Sequence, residues 1–579
     1  MIRSLGRVLR PCATYIAFGL VTLGAMSVNG LAPSALGEVQ PSTTITATRG
    51  IVVSDSAPAS DVGAAVLRRG GNAVDAAVAM ALALAVTLPE AGNLGGGGFM
   101  LVWPGEAGEP TCIDYRETAP AKATATMFSL GDSPRGHKVV GVPGTLRGLE
   151  LAHRRFGKLP WKTLVEPAVR LADEGFVLGR RLAHDLNELL ETSSEFTELR
   201  RVFGKAGATA DWAADDRLRQ PDLAATLRKI AEEGPSAFYT GAIARKIVAE
   251  MECGGGLITA DDLSGYRAVE RRPVRGTYRG YEILGAPPPS SGGIATIEAL
   301  QMLESFELRQ YDRGSARAQH LVIEVLRRAF CDRARWLGDP DFVEVPGMLL
   351  SEDYARQRAA DIDLDRATPS DQLAPDIELA PEGSDTTHFS VIDADGMAVA
   401  NTYTLEHSYG SRVVVRGAGF LLNNEMTDFN WHPGHTDRRG RIGTPPNTIA
   451  PGKRMLSSQS PTIVVRNGRP VLITGTPGGR TIISTVVCLL INTLEYEMPL
   501  CDAIDAPRLH HGWFPDVVLF EGTTDPTRAD VVKGLTEMGH HIETKPHRQG
   551  SANSIWLDSA SGLRHGVADR RRGGSAARE

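Results

Sequence analysis

Residues 371–385 separate two parts of the chain whose sequence patterns differ. Upstream, residues 145–360 carry charged amphipathic stretches that predict helices, for example over 317–336. Downstream, short apolar runs bounded by turn residues predict strands: HFSVI, AVANTYTL, RVVVR, GFLLNN, TIVVR and PVLITG. The dividing segment, DQLAPDIELAPEGSD, contains five acidic residues and two prolines, which is typical of an exposed linker. The sequence therefore predicts a joint that is open to proteolysis or self-cleavage.

The N-terminus has the layout of a secretory signal. Three arginines within the first ten residues precede an apolar run from about 13 to 28, and small residues follow up to Gly37. The run is shorter than the roughly 20 residues that span a bilayer. We therefore predict a signal peptide over 1–37 and a periplasmic or secreted product with no membrane attachment after processing. An uncleaved N-terminal anchor is the alternative.

Charge and cysteine content exclude several classes of partner. The formal net charge of −7 provides no basic field for nucleic acid. The cysteines beyond the predicted signal are far apart and form no CxxC motif, so they predict buried free thiols: Cys112, Cys253, Cys331, Cys488 and Cys501. No HExxH pair is present, and we predict no metal and no cofactor. The basic C-terminal residues, 570–579, predict a frayed tail.

A glycine run at 95–98 is reminiscent of a phosphate-binding loop. It lacks the Lys-Ser/Thr pair that contacts phosphate and Mg²⁺, so a nucleotide site is disfavoured. Glycines in such a run more often allow two backbones to approach closely. We predict that glycines 95–98 allow such a close approach of two backbones near the active site.

A β-hairpin begins at a threonine directly after the linker. Residues 386–393 alternate as a strand, the next three residues form a loop that ends at Gly396, and a second strand returns from Met397. If Asp393 pairs with Met397, Thr386 faces Thr404. Facing threonines are usually an ordinary cross-strand pair. However, cleavage before Thr386 would create a free α-amine, which can act as the base that makes its own hydroxyl nucleophilic.

Several motifs occur together and in order. DTTHFSV, TYTLE, NNEMTDF, KRMLSSQSPT and TGTPGG follow one another from residue 385, and DYRETAPAKA, GVPGTLRGLELAHRRFGKLPW, AFYTG and APPPSSGG precede them. This set resembles the γ-glutamyltranspeptidase family over roughly residues 50–572. Five colinear motifs after the linker are far more specific than any single short motif.

The resemblance implies an N-terminal-nucleophile hydrolase of α+β class, folded as a four-layer αββα sandwich. It implies one precursor that cleaves itself between Asp385 and Thr386 into a large subunit (38–385) and a small subunit (386–579). Because separation would expose strand edges and core, the two subunits are expected to stay together as a heterodimer that shares sheets.

The resemblance also assigns the reacting groups. Thr386 is the expected nucleophile, its α-amine the general base, and Thr404 the residue that orients the hydroxyl. Gly478 and Gly479 lie between a strand and an apolar helical run, where backbone N–H groups can meet a developing oxyanion. An ordinary strand-to-helix turn is the alternative reading of these glycines.

Six further residues are expected to hold the α-carboxylate and α-ammonium groups of the γ-glutamyl donor. Arg116, Ser457 and Ser458 are the predicted partners of the carboxylate, and Glu406, Glu425 and Asp428 those of the ammonium. Many family members have Asn where this chain has Glu406, although other bacterial members resemble it in carrying Glu. The alternative for the acids and Arg116 is a solvated loop face with a surface ion pair.

These observations predict an enzyme that cleaves glutathione and other γ-glutamyl amides through a γ-glutamyl-enzyme ester, passing the acyl group to water, amino acids or peptides. The alternatives are a glutaryl or cephalosporin acylase of the same fold, an uncleaved non-catalytic periplasmic binding protein, and a nucleotide-dependent ligase.

A loop at 433–444 resembles a family lid, but arginines replace its aromatic residue. A substrate role for Arg438, Arg439 and Arg441 is a hypothesis only.

Overall fold

A computed structural model describes residues 42–579, except for 106–107, 130, 206–209, 375–385, 440 and 546–547. The predicted signal peptide (1–37), most of the linker, and Asp385 on one side of the predicted cleavage bond lie outside the described residues. Within the described part, no helix combines the length and apolarity that a membrane crossing needs.

Strands account for much of the sequence on both sides of Thr386. They are β1 (Thr43–Ala47), β2 (Ile51–Ser54), β3 (Gly97–Trp103), β4 (Thr111–Asp114), β5 (Phe176–Val177), β6 (Arg217–Leu218), β7 (Val269–Arg271), β8 (Val274–Tyr278), β9 (Tyr281–Gly285), β10 (Thr387–Ile392), β11 (Ala398–Thr404), β12 (Thr462–Arg466), β13 (Arg469–Thr474), β14 (Leu509–His510), β15 (Leu519–Phe520), β16 (Ser554–Leu557), β17 (Arg564–Ala568) and β18 (Ser575–Arg578).

Helices are concentrated before Thr386. They are α1 (Ala57–Arg68), α2 (Ala73–Thr87), α3 (Thr145–Phe156), α4 (Trp161–Glu174), α5 (Arg180–Glu191), α6 (Thr197–Phe203), α7 (Pro221–Glu233), α8 (Ser236–Tyr239), α9 (Ala242–Gly254), α10 (Ala260–Gly265), α11 (Gly292–Leu303), α12 (Ala316–Trp336), α13 (Glu352–Ala359), α14 (Ser370–Leu373), α15 (Thr481–Leu490), α16 (Leu500–Asp505) and α17 (Ala529–Glu537).

Two seven-stranded sheets form the centre of the molecule. The first has the order β1-β17-β16-β13-β12-β9-β8 and the second β18-β2-β10-β11-β3-β4-β7. Neighbouring strands in both sheets are antiparallel. Each sheet contains strands from before and after Thr386, and four such pairings are β2 with β10, β3 with β11, β9 with β12 and β1 with β17.

The side-chain alternation of the strands divides the apolar core into three layers. Ile51 and Val53 of β2 pack between the two sheets with Ile473 of β13, whereas Val52 packs with α1 and α2 on the outer face. On the other outer face, Leu472 of β13 packs with α11, α12 and α15. Since each sheet is covered by helices on its outer side, the predicted four-layer αββα sandwich is confirmed.

The buried helix α2 shows how the local sequence fixes these elements. Asn72 accepts a hydrogen bond from the N–H of Asp75 at 2.9 Å, and the Asp75 carboxylate accepts one from the N–H of Asn72 at 3.0 Å. This reciprocal capping box satisfies two N–H groups that would otherwise lack partners at the helix start. Every side chain from Ala73 to Thr87 is buried, which explains why the run is apolar on all sides.

The helix-rich middle is confirmed with an addition, and two other predictions were wrong. The middle region also contains β7, β8 and β9, which extend the two sheets. The segments RVVVR and GFLLNN form a tight loop with one bridge between Val414 and Leu421, because positive φ angles at Arg412, Gly417 and Gly419 interrupt the extended backbone. The C-terminus is not frayed: β18 pairs with β2 at the edge of a sheet.

Three of the five cysteines follow the prediction of burial. Cys112, Cys331 and Cys488 are buried free thiols, and Cys501 is half-buried. Cys253 is exposed instead of buried, because it lies near the C-terminal end of α9, where the helix meets solvent.

Candidate active site

The hairpin places the two threonines at the same end of adjacent central strands. Its pairs include Thr387 with Tyr403, which is the predicted register, and Thr386 and Thr404 lie one step beyond that pair. Both residues are buried, with 2% and 1% of their surfaces exposed. The Thr404 hydroxyl accepts a hydrogen bond from the N–H of Glu406 at 2.8 Å. A hydroxyl held in this way has a defined orientation.

Glu406 takes part in this arrangement with a strained backbone. Its φ angle is 78°, in the left-handed region. Asn is much commoner than Glu in that region, so the carboxylate is retained here against a backbone preference. The Glu406 side chain is directed into the buried acidic cluster described below.

The backbone at Thr386 is held by residues from distant parts of the chain. Arg572 donates a hydrogen bond to the Thr386 carbonyl at 3.2 Å and lies 3.5 Å from the Glu90 carboxylate. The Thr387 hydroxyl donates to Asp55 at 3.2 Å. Burial raises the pKa of Asp55, and the nearby charge of Arg572 opposes that rise. Sequence analysis missed Arg572 and Asp55, since no local motif links residues hundreds of positions apart.

The glycine run lies against the second threonine strand. A β-carbon at Gly96 would be 2.0 Å from the Thr404 carbonyl oxygen, and one at Gly98 would be 2.3 Å from that of Thr402. No residue with a side chain fits at these distances. The predicted close approach of two backbones is therefore confirmed.

The predicted oxyanion residues form the turn between β13 and α15. Gly478 has a φ angle of 130° and Gly479 one of 53°, conformations that L side chains rarely adopt. The carbonyls of Gly478 and Gly479 accept hydrogen bonds from Thr481 and Ile482 at the start of α15. This turn leads directly into a helix N-terminus, where backbone N–H groups suit a developing negative charge.

A buried cluster of charges forms the opposite wall. Arg116, 1% exposed, lies 2.6 Å from the Glu425 carboxylate and also pairs with Asp428. Carboxylate oxygens of Glu406, Glu425 and Asp428 all lie within 4.8 Å of one another. The alternative of a solvated loop face is excluded for these residues by their burial. Glu117, 3.6 Å from Arg116, is a further member that sequence analysis missed although it directly follows Arg116.

The acids in this cluster have unusual proton affinities. Burial raises the pKa of Glu117 to about 8, although the adjacent Arg116 opposes the rise. Burial also raises the pKa of Glu425 well above its usual range, and the nearby carboxylates of Glu117 and Asp428 add to this shift. Glu117 and Glu425 therefore retain protons at pH values where exposed carboxylates are fully ionised.

The two serines lie at the edge of the same wall. The Ser457 hydroxyl accepts a hydrogen bond from the N–H of Gln459 at 3.1 Å, and Ser458 accepts one from Arg333 at 3.1 Å. Arg333 also donates to Ser291 at 2.9 Å. Arg333 comes from the last turn of α12, and no motif in the sequence indicates that it supports this position.

One small pocket joins these groups. Its lining residues are Arg116, Thr386, Thr404, Glu406, Asp428, Ser457, Ser458, Gln459, Gly479, Arg480 and Ile482. Of the ten predicted site residues, only Gly478 and Glu425 are outside the lining; Gly478 directly precedes Gly479, and Glu425 lies behind the wall against Arg116. The lid arginines are not among the described lining residues. Arg438 instead pairs with Asp371 at 2.7 Å near the surface.

The histidines near the hairpin have structural environments. His388 lies 2.8 Å from the Thr402 hydroxyl and 3.1 Å from that of Ser390. Burial lowers its pKa to about 3, so it is uncharged. His407 contacts the Asn424 side chain at 2.9 Å.

A four-layer αββα sandwich with a threonine at the start of a central strand defines the N-terminal-nucleophile hydrolase class. The chain matches the family model described as Gamma-glutamyltranspeptidase over residues 59–578. It is 44% identical to a glutathione hydrolase proenzyme of Escherichia coli, with 91% of each chain covered. It is 42% identical to a protein of the same name from Pseudomonas aeruginosa, with 88% of this chain and 91% of that one covered.

A solved structure, the cephalosporin acylase from Bacillus halodurans, matches with a TM-score of 0.83 and 27% identity, covering 95% of this chain and 99% of that one. The chain belongs to the γ-glutamyltranspeptidase family. It is accordingly a hydrolase and acyltransferase of the γ-glutamyl class.

Proposed function

We propose that this enzyme cleaves glutathione and other γ-glutamyl amides and passes the γ-glutamyl group to water, amino acids or peptides. The observation that carries the proposal is the composition of the pocket. Thr386 shares it with the buried Arg116, the buried carboxylate of Glu406 and the half-buried carboxylate of Asp428. A γ-glutamyl donor has a carboxylate and an ammonium group on one carbon and an amide three carbons away, and this pocket offers partners for all three.

Maturation is the first step of the proposed mechanism. Cleavage of the bond between Asp385 and Thr386 yields a large subunit of 38–385 and a small subunit that begins with Thr386. The new α-amine stays beside the hydroxyl of the same residue, where it acts as the general base. The interleaved strands of both sheets support the association of the two subunits as a heterodimer.

Acyl transfer follows in two stages. The α-amine takes the proton of the Thr386 hydroxyl, the oxygen attacks the amide carbon, and Thr404 orients the attacking oxygen. The N–H groups of Gly478 and Gly479 stabilise the tetrahedral oxyanion. As the C–N bond breaks, the amine product takes the proton, leaving a γ-glutamyl ester on Thr386. Water or an acceptor amine then gives its proton to the same base and attacks the ester carbon. The bond between that carbon and the Thr386 oxygen breaks, and the oxygen takes the proton back from the α-amine as the product leaves.

Recognition of the donor depends on the charged wall. Arg116, Ser457 and Ser458 are the proposed partners of the α-carboxylate. Glu406 and Asp428 accept hydrogen bonds from the α-ammonium group, with Glu425 behind them. The pairing of Arg116 with Asp428 supports this assignment, because the arrangement places a cation and an anion side by side, as the donor's own two charges require.

A glutaryl or cephalosporin acylase is the second candidate, favoured by the match to the Bacillus halodurans acylase. The acyl group of such a substrate lacks the α-ammonium group. The three neighbouring carboxylates would then face no cation of the substrate, which argues against this alternative. An uncleaved binding protein is the third candidate and predicts a single chain after purification.

We further propose export of the protein, directed by residues 1–37.

One experiment separates these candidates. The parent and its Thr386→Ala variant are purified, the chains are separated by size, and the shorter one is sequenced from its N-terminus. A γ-glutamyl anilide and a glutaryl anilide are then compared as donors. We expect two chains with Thr386 at the new terminus and a preference for the γ-glutamyl donor. A preference for the glutaryl donor would favour the acylase. A single, inactive chain in the parent protein would favour the binding protein.

A further inference from the structure

The pocket has a reacting end, with Thr386 and Gly479, and a head-group end, with Arg116 and the acidic cluster. At the head-group end, Arg116 is already paired with acids of the protein. Its guanidinium lies 2.6 Å from the Glu425 carboxylate and also pairs with Asp428. Because the protein itself balances this charge, a substrate carboxylate gains less attraction from Arg116 than from a cation without an acid partner.

Arg333 is a second buried cation beside this end of the pocket. It is 4% exposed and comes from the last turn of α12. Its Nη2 donates a hydrogen bond to the Ser458 hydroxyl oxygen at 3.1 Å, and its Nε donates one to that of Ser291 at 2.9 Å. Both partners are uncharged, and within the described part of the chain no carboxylate forms an ion pair with Arg333.

A buried cation that the protein does not neutralise indicates that an anion comes from a ligand. A buried charge without a counter-charge is unfavourable, so it is retained at a cost in stability. The acid next to Arg333 in the sequence, Asp332, accepts hydrogen bonds from Tyr354 and Arg358, each at 2.9 Å, and is engaged there. The α-carboxylate of the donor supplies the missing charge, because its proposed partner Ser458 is the residue that Arg333 contacts.

The Ser458 hydroxyl is free to donate its proton to a ligand. An arginine side chain only donates hydrogen bonds, so the Ser458 oxygen accepts from Arg333 and its own proton points elsewhere. Among the residues that the structure describes, none accepts that proton, and Ser458 lines the pocket. A carboxylate oxygen that accepts this proton at about 2.7 Å lies within about 6 Å of the guanidinium nitrogen, where opposite charges still attract in a partly buried site.

Arg333 also supports the second serine of this wall, through Ser291. The Ser291 hydroxyl donates a hydrogen bond to the Ser457 carbonyl at 2.6 Å, and the Ser291 N–H donates to the same carbonyl at 2.8 Å. Arg333 and Ser291 precede Thr386 in the sequence, whereas Ser457 and Ser458 follow it. One guanidinium therefore fixes both serines from the other side of the predicted cleavage site.

We propose that Arg333 is a positioning residue that acts through Ser458 on the α-carboxylate of the donor. It fixes the direction of the serine hydroxyl and supplies the positive charge that this carboxylate needs. Arg333 thereby makes the pocket selective for acyl groups that carry an α-carboxylate. This inference rests on the proposed function, because it concerns the head group of the same substrate.

Three anilide donors that differ by one group test the assignment. The γ-glutamyl anilide carries both α-groups, the glutaryl anilide lacks the ammonium group, and the 4-aminobutyryl anilide lacks the carboxylate. Arg333→Met should raise KM for the γ-glutamyl donor about tenfold, the effect of one interaction between charged groups, with a smaller change in kcat. The glutaryl donor should show the same loss, whereas kcat/KM for the 4-aminobutyryl donor should hardly change. If that donor turns over too slowly, its inhibition constant against the γ-glutamyl anilide replaces kcat/KM.

Further variants separate the proposed role from a general structural one. Arg333→Lys keeps the charge but cannot donate from two nitrogens, so KM for the two carboxylate donors should rise less than in Arg333→Met. In a Ser458→Ala background, Arg333→Met should have little further effect, because the link to the substrate is already lost. Arg466→Met, which removes an exposed arginine at the end of β12, should leave all three donors unchanged.

The outcomes are distinguishable from failure of the proposed function. If the parent does not turn over the γ-glutamyl anilide, the proposed function itself fails. If the parent is active but Arg333→Met weakens all three donors equally, or leaves KM for the γ-glutamyl donor unchanged, the function stands and the role of Arg333 is wrong. Should Arg333→Met fail to mature, Arg333→Lys decides: a KM that stays at the parent's value, or rises equally for all donors, overturns the inference.

Discussion

The two ends of the pocket are built by different physical means. At the reacting end, Thr386, Thr404 and the glycine turn are positioned by strand register and by backbone conformations that favour glycine. At the head-group end, Arg116 and its acids are positioned by one another, through short-range charge pairing in a buried environment. Substitutions at the reacting end should thus mainly lower the turnover rate. Substitutions at the head-group end should mainly lower substrate affinity and folding stability.

The nucleophile should show the largest effect. Thr386→Ala removes both the attacking oxygen and the group that starts maturation, so we expect one uncut chain and a loss of turnover of at least about 10⁴-fold. Thr386→Ser keeps a hydroxyl and should still mature, more slowly. Chain separation and anilide turnover measure both effects. Normal maturation of Thr386→Ala would refute the assignment of the nucleophile.

Removal of the central cation should damage the head-group end. Arg116→Met leaves the buried Glu425 carboxylate and the half-buried Asp428 carboxylate without their cation, which should lower the free energy of unfolding by about 3–5 kcal/mol. The measurement is chemical denaturation in the uncut Thr386→Ala background, so that a single chain is compared. Arg466→Met is the exposed control. An Arg116→Met protein as stable as its parent would show that pairing does not position this end.

Substitution in the glycine turn should show most clearly that the two ends of the pocket affect different kinetic constants. Gly478→Ala forces a side chain into a φ angle of 130°, with its β-carbon 2.7 Å from the Thr481 hydroxyl. We expect kcat to fall about 10²-fold as the N–H donors move, with a smaller change in KM. Gly468→Ala, at another positive φ in a surface turn, controls for backbone strain alone. A change confined to KM would contradict the division of roles.

The raised pKa of Glu117 predicts a pH-dependent stability. Because the folded-state pKa of about 8 lies above the ordinary value of 4.5, the folded state holds the proton more tightly than the unfolded state. The associated stability is fully present below about pH 4.5 and is lost as pH rises through about 8. Glu117→Gln should show a smaller loss, with the remaining part coming from Glu425, whose pKa burial also raises. Denaturation of the uncut Thr386→Ala chain with and without Glu117→Gln, at several pH values, measures the difference, and parallel profiles would contradict it.

The lid should show the smallest effect. Arg438 makes an exposed ion pair with Asp371, and such pairs contribute about 0–1 kcal/mol. Arg438→Ala should therefore change kcat/KM by less than about threefold, both for substrates that contact the head-group end and for those that contact the reacting end. Steady-state kinetics with the anilide test this expectation. A larger effect would place the lid in contact with the substrate and would add a third region to the comparison.

Much of the fold and site could be predicted because their signals are local. The hairpin register followed from the loop at Gly396 and the strand alternation, and the glycine turn followed from its place between a strand and a helix. The family motifs supplied Arg116 and the acids, whose burial the motifs alone do not show. The roles of the site residues remain predictions until the variants are measured.

Other features could not be predicted because they depend on distant parts of the chain. Arg572 lies in a basic segment whose composition is typical of a tail, yet it contacts the Thr386 carbonyl because β18 pairs with β2. Asp55 directly follows β2 and reaches Thr387 only once β2 has paired with β10, far away in the sequence. Arg480 looks like an ordinary helix-start residue in the sequence, and only the structure shows that it lines the pocket.

The alternation of strands from before and after Thr386 has a consequence for recovery from denaturation. In one sheet, β2 lies between β18 and β10, so a strand of the first piece is flanked by strands of the second. An uncut chain regains this arrangement in a unimolecular process. Once the chain is cut, the same sheet needs an encounter of two separate molecules, so renaturation should slow on dilution and maturation should make thermal inactivation effectively irreversible.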